Sequence, residues 1–237
     1  MRPEDRACFA LEPPSRVGVL RQHVADPGQT ARRRRVARDE QGFELVAGHT
    51  TTASGLAWAF YLLSQNPDAR RRLEREARAV LGTRRPNPPD LSQLEYTRLV
   101  IDETLRLYPP TWITARTTTD AVDIGAYRIP ANATVLLSSY VTHRDPRFWE
   151  DAERFDPERF RRGGPARPRY AYFPFGGGPR TCIGSAFALM EMQVIVAMVA
   201  QRYDTALTPG WRVEPEPGTV LVPRRGLPIV LRPGVAA

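Results

Sequence analysis

Along the chain, apolar and small positions first recur at helical spacing. Phe43, Ala47, Thr51, Ser54 and Trp58 lie three or four residues apart within residues 41–66 and describe one helix face. Most side chains on that face are small, so a neighbour must approach it closely. Asn66-Pro67 restarts the chain as a second helix with Pro in its first turn, running through Leu73 and Val80 to Gly82 as the C-cap. After a loop at 83–90, a third helix spans about 91–107 and is stopped by Pro109-Pro110. The period then changes: residues 113–119, 121–129 and 134–141, separated by Gly125 and Pro130-Ala131-Asn132, predict a small strand meander. Residues 144–179 read as turns and irregular loop, long enough to point to function. A fourth helix opens near Ile183, with Ile183, Phe187, Met190, Val194 and Met198 as one continuous apolar stripe, and short strands with Pro and Gly turns finish the chain. There is no internal repeat.

This pattern predicts a mainly α fold with small β meanders. A length of 237 residues, with 42% hydrophobic and 25% charged side chains, is that of a globular chain able to bury a core. The net charge is +8, and all 34 basic residues are Arg, a bias that codon composition explains as readily as function. Residues 1–40 hold nine Arg and four Pro, including the run Arg32 to Arg35, and form a polar lead-in; the folded part, 41–237, begins near Gln41. Cys8 and Cys182 can make at most one disulfide, which excludes a disulfide-built secreted scaffold and makes a reducing compartment the default. The first residues lack the apolar core of a signal peptide, and no run of about 18 apolar residues follows, so a soluble, cytoplasmic chain without a membrane span is expected.

The most informative stretch is Phe175-Gly-Gly-Gly-Pro-Arg-Thr-Cys-Ile-Gly184, a glycine-rich loop that delivers one Cys immediately before an apolar helix. Glycines allow a flat partner to approach the backbone, and a thiolate beside a helix N-terminus is favoured by the dipole and backbone N–H groups, which suits a metal ligand or nucleophile. A small buried core Cys is the alternative. The pattern Phe-x-x-Gly-x-Arg-x-Cys-x-Gly, present as Phe175, Gly178, Arg180, Cys182 and Gly184, resembles the haem-binding loop of the cytochromes P450 at every defined position. The resemblance implies haem b with Cys182 as the proximal iron ligand, and Arg180 paired with a haem propionate. Thiolate ligation favours O–O cleavage.

On the third helix Tyr96, Leu99, Glu103 and Arg106 share one stripe, so a carboxylate and a guanidinium sit among apolar positions. An exposed i, i+3 pair is the ordinary alternative. Glu103-Thr-Leu-Arg106 matches the family's Glu-x-x-Arg element, and Pro157-Glu-Arg-Phe160 matches the segment that supplies a second Arg; the implied buried trio is Glu103, Arg106 and Arg159, holding the long loop beneath the haem.

Ala47-Gly-His-Thr-Thr-Thr52 resembles the family's oxygen-binding helix. Ala47 and Gly48 then leave space for O2, and the Thr51 hydroxyl either bonds the Ala47 carbonyl or donates to bound oxygen. Thr50 stands where the family usually has Asp or Glu, so the proton relay lacks its acid. His23, His49 and His143 show no metal-site spacing. Arg116, in Thr114-Ala-Arg-Thr117, and His143, before Arg144-Asp-Pro, sit where the family often contacts propionates. Cys8 has no motif around it.

The resemblance covers about residues 41–237, the C-terminal half of the family's domain, from the oxygen-binding helix through the haem loop and the C-terminal strands. It implies a truncated haem-thiolate monooxygenase that inserts one O2-derived oxygen into a hydrophobic small molecule. Electrons come from NAD(P)H through a ferredoxin-type or flavin partner, and Ala47, Thr51 and residues 111–114, with Trp112 and Ile113, form the substrate walls. A catalytically inactive haem-binding remnant is one competitor. A basic nucleic-acid-binding module, motivated by the charge and the Arg32 to Arg35 run, is another, but no recognition motif accompanies it and aromatics are not interleaved with the Arg cluster.

Overall fold

The computed structural model of the chain describes residues 30–164 and 166–234, and the side chains of its first helix from Ala47 onward. Helix α1 (Thr30–Gln65) begins well before Gln41, so the last part of the expected lead-in is helical. Arg is a good helix former, and residues 30–41 contain neither Gly nor Pro. Cys8 and His23 lie outside the described residues.

Helix α2 (Pro67–Leu81) starts on Pro67 and ends at Gly82, whose φ of 56° and N–H bond to the Arg78 carbonyl make it the cap. A short 3-10 turn at Pro88–Ser92 precedes α3 (Glu95–Leu107), which therefore starts later than its apolar pattern suggests. Glu76 on α2 reaches over to cap it, accepting from the backbone N–H groups of Tyr96 (2.6 Å) and Thr97 (2.8 Å). These are donors that the first turn of a helix leaves unpaired.

Strands β1 (Thr114–Thr117) and β4 (Thr134–Leu137) pair antiparallel, while β2 (Val122–Ile124) and β3 (Tyr127–Ile129) form a hairpin between them in sequence. The small antiparallel strands expected here are present, but as nested pairs and not as a sequential meander. Gly125, at φ +57°, divides the 121–129 segment into two strands. The chain then makes one helical turn, α4 (Ser139–Thr142), where a strand had been expected to continue, because the Ser138 side chain accepts from the Val141 N–H and caps it. The described residues of 144–179 are loop and turns apart from 3-10 turns at Pro157–Phe160 and, at the far end, Gly178–Arg180. Helix α5 (Ser185–Arg202) follows, and strands β5 (Tyr203–Leu207) with β8 (Ile229–Pro233), and β6 (Pro215–Pro217) with β7 (Leu221–Pro223), complete the fold.

The core lies where α1, α2, α3 and α5 meet. Ala59, Leu63, Leu73, Ala77, Leu81, Val100, Val196 and Ala197 are all buried there. The small face of α1 admits two neighbours. A Cβ on Gly55 would lie 3.0 Å from the Met192 Cε of α5. The Leu221 carbonyl of β7 accepts from both Ser54 Oγ (2.5 Å) and Trp58 Nε1 (2.8 Å).

The expected stripe of α5 is corrected. Ile183 is fully exposed and Phe187 is 63% exposed, whereas Met192, Val196, Ala197 and Ala200 are buried. Two glutamines share the buried side: Gln193 donates to the Leu91 and Leu94 carbonyls, and Gln201 to those of Gly82 and Arg84. They satisfy carbonyls of the connection between α2 and α3 that would otherwise be buried unpaired.

Candidate functional site

The glycine-rich loop closes on itself. The Cys182 N–H donates to the Phe175 carbonyl at 2.9 Å, and the Gly176 N–H to the Phe173 carbonyl at 2.9 Å. Gly176 and Gly178 hold φ of 72° and 68°, the left-handed region where a side chain costs about 1–2 kcal/mol. Gly177 is required for a different reason: its backbone is extended, but a Cβ would stand 2.4 Å from the Tyr170 ring. The loop thus presents Cys182 as a free, exposed thiol two residues before Gly184, the N-cap of α5. Arg180 is exposed beside it, while Phe175 turns inward and packs on Ile101, Leu105 and Met192.

Beneath the loop lies a buried ion network. Neither Glu103 nor Arg106 is exposed, and the guanidinium grips the carboxylate in a fork. Arg159 approaches Glu103 Oε1 at 3.4 Å, and the Asp156 N–H donates to the same oxygen at 2.9 Å. Arg106 also donates to the carbonyls of His143 (2.7 Å), Ala152 (2.7 Å) and Arg154 (3.2 Å), and Arg159 to those of Glu150 and Asp151. Burial pushes the Glu103 carboxyl up, against the pull of Arg106, the Asp156 N–H and Arg159. One carboxylate and two guanidiniums therefore fasten the irregular 143–159 segment to α3, with the Glu103–Arg106 fork pairing the charges that are buried most deeply.

His143 does not do what was expected of it. It is fully buried and offers nothing to a cofactor, because Nδ1 faces the Arg106 carbonyl at 3.2 Å and Nε2 accepts from the Phe173 N–H at 2.9 Å. Burial pushes its pKa down to about 3, so the ring is neutral with its proton on Nδ1. Arg116 is half-buried, and its Nη1 donates to Thr114 Oγ1 (2.9 Å) and to the Ala115 carbonyl (2.8 Å), bonds within its own strand.

On α1, Ala47, Gly48 and Thr50 are exposed, and the Thr51 hydroxyl donates to the Ala47 carbonyl at 2.6 Å. His49, Thr50, Ala53, Ser54 and Ala57 form one wall of a groove of about 290 Å³, with Val222, Pro223, Gly226 and Leu227 as the other. These last four residues were missed by sequence reasoning, because no periodicity connects α1 with a strand more than 150 residues later. Trp112, half-buried, donates through Nε1 to the Gly218 carbonyl at 2.8 Å, which fastens the segment after α3 to the β6–β7 turn.

The model of the family described as Cytochrome P450 matches residues 42–230. The chain belongs to the cytochrome P450 family. It is 41% identical over 221 residues to cytochrome P450 132 of Mycobacterium tuberculosis, covering 93% of this chain and 48% of that protein. It is 42% identical over 193 residues to cyclooctatin synthase of Streptomyces melanosporofaciens, covering 80% of this chain and 40% of that protein. It is 44% identical over 179 residues to cyclooctat-9-en-7-ol 5-monooxygenase of the same organism, covering 75% and 37%. The chain thus spans about half the length of these cytochrome P450 relatives or less. Among the described residues no helix is long and apolar enough to cross a membrane. The haem on which the family depends suits what the loop offers: an unpaired soft sulfur, exposed apolar Ile183 and Phe187 beside it, and Arg180 as a cation for a carboxylate.

Proposed function

We propose that this chain is the haem-thiolate portion of a monooxygenase that inserts one O2-derived oxygen into a hydrophobic small molecule. The observation that carries the reading is the exposed Cys182 thiol, presented by a glycine loop whose closure, Cys182 N–H to Phe175 O, aims the sulfur outward. Bound haem supplies the redox chemistry, and a thiolate ligand favours O–O cleavage. Cys182 provides that thiolate, Arg180 and Arg116 bind the propionates, and Phe175, Gly178 and Gly184 shape the loop. Thr51 keeps its hydroxyl proton on the Ala47 carbonyl, and the small Ala47 and Gly48 leave room for a diatomic molecule. Thr50 takes the place of an acid. Glu103, Arg106 and Arg159 hold the 143–159 segment and do no chemistry.

The proposed substrate class is supported by the groove beside Thr50, whose walls include Ala53, Ala57, Val222, Pro223 and Leu227, together with Trp112 and Ile113 after α3. Electrons come from NAD(P)H through a ferredoxin-type or flavin partner, and a reducing cytoplasm keeps Cys182 a thiol. The test is a reduced carbon-monoxide difference spectrum of haem-loaded protein, parent against Cys182→Ser. Thiolate-type absorption in the parent alone is expected. The same spectrum from both proteins, or no pigment in either, overturns the assignment.

A further inference from the structure

His143 joins the buried ion network to the thiol loop by a route that the network itself does not provide. Arg106 and His143 are linked twice: the guanidinium donates to the His143 carbonyl at 2.7 Å, and the imidazole Nδ1–H donates to the Arg106 carbonyl at 3.2 Å. The second bond serves a carbonyl in the last turn of α3, where intrahelical partners run out. On the far side of the ring, Nε2 accepts from the Phe173 N–H at 2.9 Å. The Phe173 carbonyl in turn accepts from Gly176, and the Phe175 carbonyl from Cys182.

Two other side chains hold the same strip of backbone. Trp149 Nε1 donates to the Ala171 carbonyl at 3.2 Å, and the Tyr172 hydroxyl to the Asp102 carbonyl at 3.0 Å. Both bind upstream of Phe173. His143 alone among these three reaches the residue whose carbonyl begins the loop.

We infer that His143 is a positioning residue for Cys182: it fixes Phe173, and with it the origin of the glycine loop, against the end of α3. The inference rests on the reading of Cys182 as a haem ligand, but the contact it invokes belongs to the protein alone. His143 touches neither cofactor nor substrate.

Three substitutions separate positioning from general packing. The amide of His143→Asn ends where Nδ1 stands, so it keeps the bond to Arg106 and loses Phe173. His143→Gln reaches the Nε2 position and restores an acceptor for the Phe173 N–H. His143→Leu provides neither. Backbone amide exchange of the chain without cofactor is read over 171–182 and, as the internal reference, over 95–107. Exchange in 171–182 is expected to rise about tenfold or more in Asn and Leu, the cost of an unmade buried bond, and to stay within about threefold of the parent in Gln. After haem loading, the thiolate share of the reduced carbon-monoxide spectrum should fall in Asn and recover in Gln. Equal loss of protection in 95–107 and 171–182 in the Asn variant would make His143 an ordinary core residue and overturn the inference, as would parent-like exchange and spectrum in Asn. If His143→Leu fails to fold, the Asn and Gln pair decides. A parent that takes up no haem overturns the functional reading, while the exchange comparison still decides the contact.

Discussion

Arg106 holds Glu103 by two parallel bonds, Nε to Oε2 at 2.7 Å and Nη2 to Oε1 at 2.8 Å, with neither side chain exposed to solvent. Removing the carboxylate leaves Arg106 buried and uncompensated, with Arg159 beside it, which costs about 3–5 kcal/mol. Glu103→Ala should therefore lower the denaturant midpoint steeply or yield insoluble protein, and Glu103→Gln, which keeps shape but not charge, should recover only part of the loss. A soluble Ala variant with the parent's midpoint would show that the network does not support the fold.

Acid stability follows from His143. Its pKa in the fold, about 3, lies below the ordinary value of 6.5, because burial and the nearby Arg106 and Arg144 guanidiniums oppose a second proton. Between those values the unfolded chain binds a proton that the native chain does not. Stability is thus unaffected above about pH 6.5 and falls as pH drops toward 3, at about 1.4 kcal/mol per unit. From pH 6.5 to 5 the loss from this group reaches about 2 kcal/mol, and His143→Gln should remove that part of the slope in urea titrations at successive pH values. Parallel pH profiles for parent and variant would contradict it.

Much of this was legible in the sequence where a local rule acts alone. Pro67 and Gly82 bound α2, and the Thr51 hydroxyl bonds the carbonyl four residues back. The buried face of α5 was not legible. Between Phe187 and Met198 most of the helix is apolar, so periodicity could not choose between the stripe through Ile183, Phe187 and Met190 and the one through Met192 and Val196. The choice is made by Gly55, which receives Met192, and by carbonyls of the α2–α3 connection that bury Gln193 and Gln201 against their intrinsic preference. The bridging role of His143, expected instead at a propionate, was illegible for a similar reason: its two backbone partners lie 37 and 30 residues away, and nothing local distinguishes it from a surface loop histidine.

Adjacent glycines in the thiol loop should respond to substitution in different ways. Gly177→Ala places a methyl 2.4 Å from the Tyr170 ring, an overpacking clash worth about 1–3 kcal/mol. Gly176→Ala suffers instead from its φ of 72°, with no atom nearer than 3.8 Å. Combining each with Tyr170→Ala distinguishes the causes. Truncating Tyr170 should relieve Gly177→Ala and leave the cost of Gly176→Ala unchanged, so a thermal-denaturation double-mutant cycle should give a coupling energy of about 1 kcal/mol or more at 177 and near zero at 176. Equal coupling at both positions would contradict this division.

Thr50 carries the last expectation. It is exposed on α1 beside a groove whose described lining residues include no carboxylate, at the position where the resemblance to the cytochromes P450 places an acid. A hydroxyl with an ordinary pKa cannot deliver a proton near neutral pH as a carboxylic acid can, and a positioned general acid contributes about 10²- to 10⁴-fold to a proton-transfer step. A chain with Thr50 should therefore turn over with poor coupling, releasing much of the reduced oxygen as hydrogen peroxide. Thr50→Glu restores the acid, and Thr50→Gln matches its size without the proton. Both changes are at an exposed site and should move stability by no more than about 0.5 kcal/mol, so activity differences are not folding differences. The measurement is product formed per NAD(P)H consumed, with a redox partner, in protein joined to the N-terminal half of a relative. Coupling that rises in Glu and not in Gln supports a missing proton donor. Equal gains in both assign the effect to side-chain volume in the groove, and tight coupling already present with Thr50 would show that the acid is not needed here.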